Sequence, residues 1–552
     1  MEAAGLLGIE IPSMCYLPGH SNHPTCMVCL VKYEEKGTFF PSCAMPVSEG
    51  MKITTSSADV LEARKEALEL LLSDHVGDCE APCRRSCPAF MDIPLMNRLI
   101  ASGDFKAALQ VVREEIALPL VLGYICPAPC EKACHRASLG GAVSICMLKR
   151  FTANNEEPNS SGLNIKAGLK YQPQRHKDTN SSYSILQKLA SSRLSGEKKP
   201  ADHQQDESTG ILSQKKIAII GTGPAGLSAA FYLLRYGHQC TLFDKNELPG
   251  GTLRYDIPDE HLPKDMLDKD IRIIKEMGAV FQMNNRITKD LFENSILPGF
   301  DAVILATGKR NLQPLEDFGF ETGKDSWITD KRSLSTSRPG IFVCGNIIHD
   351  QRMAVRSAAQ GKTAAMAVDA YLYGRDHDDG KFSFHSVITH LMPSEREEYL
   401  KESVPGNRVE PAGGFLQGFS EAEAMMEAQH CLHCDCRKPL SCKLRIYSDF
   451  YHANRKRFAG HDRKHLTREV QHETVIYEPE KCIKCGLCVE ISRKEESALG
   501  MTFIGRGFDV RIGVPFTETI KQGLDKTAAA CVAACPTGAL AFKDMEERNC
   551  DE

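Results

Sequence analysis

The sequence predicts a multidomain protein of α/β plus α+β class, with a Rossmann-like nucleotide-binding domain between cysteine-rich modules. The stretch KKIAIIGTGPAGLSAA joins an apolar strand to a helix through three glycines. Residues 215–375 alternate apolar strands with helical patterns, which is typical of α/β domains. Most of the 23 cysteines lie in sets on either side of this region.

The composition and charge of the chain argue against several classes of function. With 552 residues the chain is long enough for several domains, and its formal charge of −5 is small. No basic stripe indicates a nucleic-acid partner, and no apolar run reaches the roughly 18 residues of a membrane span. The N-terminus lacks the basic segment of a secretory signal. We therefore predict a cytoplasmic protein, in which clustered cysteines favour metal sites over disulfides.

Six segments are predicted along the chain. The polar residues at 152–214 predict a flexible linker, with room for a short helix over SILQKLASSRL. The amphipathic run DVLEARKEALELLLSD predicts helix in the segment before it. The segments are a module at 1–55, a helical domain at 56–151, the linker at 152–214, the Rossmann-like domain at 215–375, a polar helical region at 376–475 and a small cysteine-bearing module at 476–552.

Gly221, Gly223 and Gly226 form the pattern G-x-G-x-x-G after an apolar strand. Such glycines allow a tight turn and a close approach of the backbone to a pyrophosphate, and the helix that follows offers free N–H groups. Asp244 ends the next strand, 23 residues after Gly221, where an acid binds a ribose hydroxyl. Strand, glycines, helix and acid together favour a nucleotide site over a turn that serves packing alone.

Three later stretches narrow the nucleotide: PGGTLRYDIP, FDAVILATGKR and RPGIFVCGNI. With the glycine turn they resemble the flavoprotein disulfide-reductase superfamily, most closely the small subunit of glutamate synthase and the FAD part of dihydropyrimidine dehydrogenase. The resemblance implies bound FAD. The family has Gly-Asp where this chain has Gly345-Asn346, so the amide lacks the family's charge. The further FAD contacts that the resemblance implies are Gly251, Leu253, Arg254, Ala306, Thr307, Gly308, Gly345 and Asn346.

The same region is shorter than the resemblance implies. The family inserts a second dinucleotide domain, for NAD(P)H, before the last FAD segment. Here only 31 residues separate Gly308 from Gly340, and they contain no second glycine turn. We therefore predict that this chain lacks the nicotinamide domain, so that electrons enter and leave by other groups.

Cys15, Cys26, Cys29 and Cys43 follow the spacing C-x10-C-x2-C-x13-C, which suits a [2Fe–2S] cluster, with zinc as the alternative. Their surroundings resemble the N-terminal module of the large iron–sulfur subunit of NADH:quinone oxidoreductase and of related hydrogenases and formate dehydrogenases. That resemblance implies a β-grasp-like fold. Family members begin with an additional β-hairpin, so we expect either an N-terminally truncated module or a start upstream of Met1.

The helical domain carries its own cysteines. Its sequence resembles the helical domain of the glutamate synthase small subunit, which implies two [4Fe–4S] clusters with interleaved ligands. Eight ligands are needed, and His75 is the candidate for the eighth because H-x3-C also supplies a histidine ligand in the NADH:quinone subunit. A surface histidine and a single cluster with spare thiols are the alternatives. The seven cysteines are Cys79, Cys83, Cys87, Cys126, Cys130, Cys134 and Cys146.

Two further sets lie after the Rossmann-like domain. The stretch CIKCGLC with a remote Cys-Pro is the bacterial ferredoxin pattern and predicts one [4Fe–4S] cluster on Cys482, Cys485, Cys488 and Cys535. The stretch CLHCDCRKPLSC holds four cysteines within twelve residues. Zinc and iron–sulfur both fit it, and the neighbouring redox modules favour iron–sulfur. These four are Cys431, Cys434, Cys436 and Cys442.

These features predict an electron-transfer subunit of a multi-subunit oxidoreductase, with FAD, one [2Fe–2S] and two to four [4Fe–4S] clusters. The expected partner is a hydrogenase, a formate dehydrogenase or another molybdenum or tungsten enzyme, with ferredoxin as a further partner. No catalytic residues are assigned, because no Ser/His/Asp constellation stands out. The alternatives are a stand-alone NAD(P)H-dependent reductase and a non-redox scaffold with structural zinc.

Overall fold

The computed structural model describes residues 1–155, 214–308, 318–320, 328–350, 352–377, 382–460, 462–495, 497 and 499–543. Most of the predicted linker at 152–214, with its short helix, lies outside these residues. Within the described ranges, no helix combines the length and the apolarity that a membrane crossing requires.

The N-terminal module is built on a three-stranded antiparallel sheet. Strands β1 (Leu30–Tyr33), β2 (Thr38–Pro41) and β3 (Ile53–Thr54) stand in the order β2-β1-β3, after a short helix at Glu2–Leu6. Cys29 directly precedes β1, and Cys43 follows β2. The hairpin therefore brings these two cysteines to the same end of the sheet. The β-grasp-like fold of this module stays a prediction.

Helices make up most of the segment 56–151 in the structure. Asp92 and Asp104 begin two of the helices, and their carboxylates accept hydrogen bonds from the backbone N–H groups of Leu95 and Ala107. Such N-caps satisfy donors that a helix start leaves free. The helices are Ala58–Ser73, Pro82–Ser86, Ile93–Ala101, Phe105–Glu115, Pro119–Ile125, Pro129–Lys132 and Ile145–Asn154.

The Rossmann-like domain is confirmed as a mainly parallel sheet. Its strands are β4 (Lys216–Ile220), β5 (Gln239–Phe243), β6 (Val280–Gln282), β7 (Ala302–Leu305), β8 (Ile328–Asp330), β9 (Ser335–Thr336) and β10 (Ile341–Val343). The order is β6-β5-β4-β7-β10-β9-β8, and β9 runs antiparallel to both of its neighbours. The first four strands of this order thus follow the 3-2-1-4 pattern of a Rossmann half.

Two long helices cover the sheet beside the glycine turn. Pro224–Arg235 packs against Ala354–Leu372, and Gly361 permits this because a Cβ there would lie 2.2 Å from the Ala225 carbonyl oxygen. The other helices of this domain are Thr252–Tyr255, Lys264–Glu276, Lys289–Leu291 and Leu297–Gly299, with a π-helical turn at Phe292–Ile296.

After the Rossmann-like domain the chain folds back onto the helical unit. Its helices are Pro393–Leu400, Gly414–Gln417, Glu421–Gln429 and Lys443–Phe450. The buried Glu427 carboxylate accepts hydrogen bonds from the N–H groups of Ser144 (2.7 Å) and Val409 (2.7 Å), so it ties the two parts together. The predicted segments 56–151 and 376–475 therefore share one interior.

The C-terminal module pairs two small sheets with helices. Strand β11 (Val475–Tyr477) pairs with β14 (Leu540–Phe542), and β12 (Thr502–Ile504) pairs with β13 (Arg511–Gly513). The helices are Leu487–Lys494, Ile520–Leu524 and Ala528–Ala534.

Replacing Gly226 by alanine should destabilise the Rossmann-like domain. A Cβ at Gly226 would lie 1.9 Å from the Gly221 carbonyl oxygen, a backbone atom that no side-chain movement can clear. We expect Gly226→Ala to lose about 3 kcal/mol of unfolding free energy, measured by urea denaturation. The control is Gly299→Ala, whose Cβ meets no atom within 4 Å. Equal stability of the two variants would contradict this packing.

Candidate cofactor sites

In the glycine turn, Gly223 leaves space for a ligand, whereas Gly221 and Gly226 are required by close packing of the backbone. A Cβ at Gly221 (φ +111°) would lie 2.2 Å from the Ala306 carbonyl oxygen, whereas Gly223 faces open space within 4 Å. The helix Pro224–Arg235 starts directly after Gly223, so its free N–H groups border that space. This arrangement fits a pyrophosphate.

Asp244 lies beside the turn. Its carboxylate accepts hydrogen bonds from the backbone N–H (2.8 Å) and the hydroxyl (2.7 Å) of Thr222. A carboxylate oxygen has more than one acceptor site. Asp244 can therefore accept a ribose hydroxyl while it braces the turn.

The other predicted FAD contacts divide into two sets. A Cβ at Gly251 would lie 2.9 Å from the Gly223 Cα, and one at Gly345 would lie 2.9 Å from the Ala225 Cβ, so both segments border the turn. Thr307, which follows Ala306, keeps a shielded hydroxyl with no hydrogen-bond partner, as expected of a residue that faces a ligand.

Leu253 and Arg254 serve the protein itself. Leu253 is 1% exposed inside the main apolar core. The Arg254 guanidinium donates to the Pro249 carbonyl oxygen (2.6 Å) and pairs with Asp268. Both residues were predicted as FAD contacts, but in the structure their side chains are engaged by other parts of the protein.

The predicted metal ligands gather into five groups. We name them the N-terminal group (Cys15, Cys26, Cys29, Cys43), the proximal group (Cys87, Cys126, Cys130, Cys146), the middle group (Cys83, Cys134, Cys431, Cys434), the junction group (His75, Cys79, Cys436, Cys442) and the C-terminal group (Cys482, Cys485, Cys488, Cys535). All cysteines in the described ranges are free of disulfides.

The N-terminal group is the tightest. The Sγ atoms of Cys15 and Cys26 are 3.3 Å apart, and the hydrogen bond between them lowers the pKa of Cys15 to about 5. Cys43 interacts electrostatically with both Cys29 and Cys15. One thiol of the group therefore gives up its proton readily, which metal binding requires.

The proximal group lies where the helical unit meets the Rossmann-like domain. Hydrogen bonds link Cys146 to Cys126 and to Cys130. Cys130 shares one apolar cluster with Val355 and Ala358, which belong to the helix Ala354–Leu372 of the Rossmann-like domain. The proximal group therefore borders the nucleotide side of the molecule, and Cys83 and Cys134 of the middle group pack against the same cluster.

The middle group joins two distant parts of the chain. Cys83 interacts electrostatically with Cys134, Cys431 and Cys434. Burial raises the pKa of Cys83 and of Cys434 well above the usual range of a thiol. Asn97 hydrogen-bonds the Cys431 thiol, although nothing in the local sequence marks this asparagine.

The junction group lines one small cavity. The Cys79 Sγ accepts a hydrogen bond from the Ser386 N–H (3.3 Å), and the Cys436 N–H donates to the Cys79 carbonyl oxygen (3.4 Å). His75 keeps a shielded Nδ1 without a hydrogen-bond partner. Burial and the nearby Lys481 lower the pKa of His75 to about 4, so its imidazole is neutral at pH 7 and able to bind a metal.

The arrangement in the structure differs from the predicted grouping. The four cysteines of 431–442 divide, with Cys431 and Cys434 beside Cys83 and with Cys436 and Cys442 beside Cys79 and His75. The reason is the path of the segment, which Asp435 fixes through a bidentate pair with Arg98 (2.6 and 3.2 Å). Cys434 then lies on the side of Cys83, and Cys436 on the side of Cys79.

The four cysteines of the C-terminal group lie together in the structure, and their role as ligands stays a prediction. Cys488 interacts electrostatically with Cys482, Cys485 and Cys535, and also with the spare thiol Cys531. Burial raises the pKa of Cys482 to about 11. The Cys482 Sγ accepts a hydrogen bond from the Lys484 N–H (3.3 Å), a contact that stabilises the anionic form of the sulfur.

In the described ranges, no three His, Cys, Asp or Glu side chains converge closely enough to hold one metal ion. A zinc ion needs four ligands within about 2.3 Å of one point, whereas a cluster distributes its thiolates over several iron atoms.

The five groups form a continuous series. The Cys87 N–H donates to the Cys83 carbonyl oxygen (3.2 Å), so the proximal and middle groups share one helical turn. Cys434 and Cys436 are two residues apart, which places their Cα atoms within about 7 Å. These two residues link the middle and junction groups.

The series continues to both ends of the chain. Lys438 beside the junction cavity donates to the Cys535 carbonyl oxygen (2.9 Å). Cys485 of the C-terminal group interacts electrostatically with Cys15 of the N-terminal group, and both share an apolar cluster with Cys442. Each group is therefore linked to the next by a shared element or a shared apolar cluster.

Family models match three parts of the chain. A 2Fe-2S iron–sulfur cluster binding domain matches residues 1–58, and the dihydropyrimidine dehydrogenase domain II, 4Fe-4S cluster, matches residues 60–161. An NAD(P)-binding Rossmann-like domain matches residues 219–287. These matches support both cluster types and a dinucleotide site.

Curated relatives are oxidoreductase proteins. The NADP(+)-dependent formate dehydrogenase subunit beta of Moorella thermoacetica is 34% identical over 46% of this chain and 33% of its own length. The NADPH-Fe(3+) oxidoreductase subunit beta of Geobacter sulfurreducens is 29% identical over 58% and 44%. The glutamate synthase [NADPH] small chain of Bacillus subtilis is 30% identical over 45% and 42%, which confirms the resemblance to that subunit. The chain thus spans less than half of each relative.

Replacing Asp435 should loosen the crossing at 431–442. Asp435→Asn leaves the Arg98 guanidinium without its carboxylate, and the side chains of this pair are only 9% and 11% exposed. We expect a loss of about 3 kcal/mol of unfolding free energy, measured by urea denaturation.

The matched control removes an exposed pair. Glu473→Gln breaks the ion pair between Glu473 and Lys521, whose side chains are 60% and 58% exposed. This substitution should change the unfolding free energy by less than about 1 kcal/mol. Similar losses in both variants would contradict a special role for Asp435.

Proposed function

We propose that this chain is an FAD- and iron–sulfur-containing electron-transfer subunit of a multi-subunit oxidoreductase. The observation that carries the proposal is the continuous series of thiol groups that begins beside the Rossmann-like domain and ends at the two terminal modules. A scaffold with structural zinc needs no such adjacency. A relay does, because electrons pass only between neighbouring centres.

FAD is the nucleotide that the turn region supports best. Gly251, Thr307 and Gly345 belong to the segments that surround FAD in the resembling family, and here they border the turn. When bound, FAD takes up two electrons together and releases them singly, while iron–sulfur clusters carry one at a time. The residues of this chain hold and orient the nucleotide: Gly223 leaves room for the pyrophosphate, and Asp244 is placed for the ribose.

The five groups would hold one [2Fe–2S] and four [4Fe–4S] clusters. The N-terminal group matches the 2Fe-2S model, and the proximal group lies within the 4Fe-4S model. The junction group supplies three thiols and the neutral imidazole of His75. Burial holds protons on several thiols, so metal binding releases protons and couples to folding.

The partner would supply the catalytic centre. Relatives named as formate dehydrogenase and NADPH-Fe(3+) oxidoreductase subunits support a redox complex of that type. The 31 residues between Gly308 and Gly340 leave no room for a second dinucleotide domain. We therefore propose that nicotinamide, where the complex uses it, is bound elsewhere than in this chain.

Cofactor analysis of the anaerobically purified chain tests the proposal. We expect one FAD and about 18 iron atoms per chain, from one [2Fe–2S] and four [4Fe–4S] clusters. NADPH alone should leave the flavin absorbance unchanged, and dithionite should bleach it. Bleaching by NADPH without partners would favour the stand-alone reductase, and a colourless protein free of iron would favour the zinc scaffold.

Serine variants test the assignment of ligands to groups. Cys434→Ser should alter the same electron paramagnetic resonance signal as Cys83→Ser, because both belong to the middle group. Cys436→Ser should alter the signal that Cys79→Ser alters. The control is Cys240→Ser, whose thiol lies in the apolar core of the Rossmann-like domain. One common signal for Cys434→Ser and Cys436→Ser would refute the grouping.

A further inference from the structure

Lys149 is a buried cation against the proximal group. It lies in the helix Ile145–Asn154 and is 3% exposed. Its Nζ donates to the Leu122 carbonyl oxygen (3.1 Å) and lies 3.9 Å from the Cys146 Sγ. Its charge interacts with all four thiols of the group.

Several cations beside the other groups have carboxylate partners, whereas Lys438 at the junction cavity donates to the carbonyl oxygens of Val532 and Cys535. The ion pairs are Arg98 with Asp435 at the middle group, Arg445 with Glu80 at the junction group and Lys484 with Asp74 at the C-terminal group. Among the described residues, no carboxylate lies within ion-pair distance of Lys149.

The nearest acidic side chain is already engaged. Glu131 accepts a hydrogen bond from the Cys146 N–H (2.9 Å), and its second oxygen pairs with Arg408 (2.8 Å). Arg150, the next residue on the helix, faces the rings of Tyr124 and Phe415 instead. Lys149 therefore leaves one positive charge that is balanced only by the thiolates.

We propose that Lys149 is a positioning residue that raises the reduction potential of the cluster in the proximal group, an inference that rests on the proposed function. Reduction adds one electron to a buried anionic site, and no bond breaks. A fixed cation about 4 Å from a ligand sulfur stabilises the reduced cluster, which carries one more negative charge, more than it stabilises the oxidised cluster. The net charge and the hydrogen bonds to sulfur are among the factors that set the potential of a cluster. Lys149 keeps its proton throughout, so no proton moves with the electron.

A raised potential at the proximal group affects the direction of electron flow. The proximal group shares packing with the helix Ala354–Leu372 of the Rossmann-like domain, so it is placed to take up electrons that the nucleotide side releases singly. A raised potential there draws the first electron away from the flavin.

Redox titration of the full chain, followed by electron paramagnetic resonance, tests this inference. Cys87→Ser identifies the signal of the proximal group. In Lys149→Met the reduced-to-oxidised ratio of that signal at a fixed potential should fall about tenfold, which is about 59 mV for a one-electron couple. Lys149→Arg keeps the charge and should stay within about threefold of the wild type.

A further variant separates charge from packing. Lys149→Gln removes the charge but keeps a donor that can reach the Leu122 carbonyl oxygen. It should follow Lys149→Met, and a wild-type potential in Lys149→Gln or an equal shift of every signal in Lys149→Met would overturn the proposal. Wild-type protein without iron would instead refute the proposed relay, so the two failures are distinguishable.

Discussion

The structure depends on the crossing of the segment 431–442 over the helical unit. The Arg98–Asp435 pair fixes the register of this crossing, and the Cys436 N–H bonds the Cys79 carbonyl oxygen. Both contacts lie between residues more than 300 positions apart in sequence. Because of them, two of the five thiol groups draw ligands from both sides of the Rossmann-like domain, which makes that domain an insertion between halves of the same sites.

Burial shapes the chemistry of these sites. It raises the pKa of most thiols in the middle and C-terminal groups, whereas a hydrogen bond from a neighbouring thiol lowers the pKa of Cys15. Protons must therefore leave the buried groups when metal enters. The polar contacts to sulfur, from Ser386, Asn97 and the Lys484 backbone, differ from group to group. The protein can thus give chemically similar clusters different potentials.

Local patterns predicted much of this architecture. The strand, three glycines and Asp244 lie within thirty residues, so the sequence alone located the nucleotide turn. The C-x2-C-x2-C run likewise predicted most of the C-terminal group. The close spacing of the cysteines at 431–442 predicted a single site. In the structure, the tertiary crossing and not the sequence spacing decides which cysteines lie together. Lys149 carried no signal, since a lysine on an amphipathic helix reads as a solvent-facing residue.

Because the Rossmann-like domain lies between them in sequence, the two halves of the middle and junction groups are synthesised at different times. Cys79 leaves the ribosome 357 residues before Cys436, a delay of roughly 20–70 s at ordinary elongation rates. Through that interval the thiols of the helical unit have no partners from the returning segment. Iron delivered early would meet half-formed sites. Assembly of the middle and junction groups therefore waits until the segment 431–442 has emerged, and the nascent chain needs protection from oxidants until then.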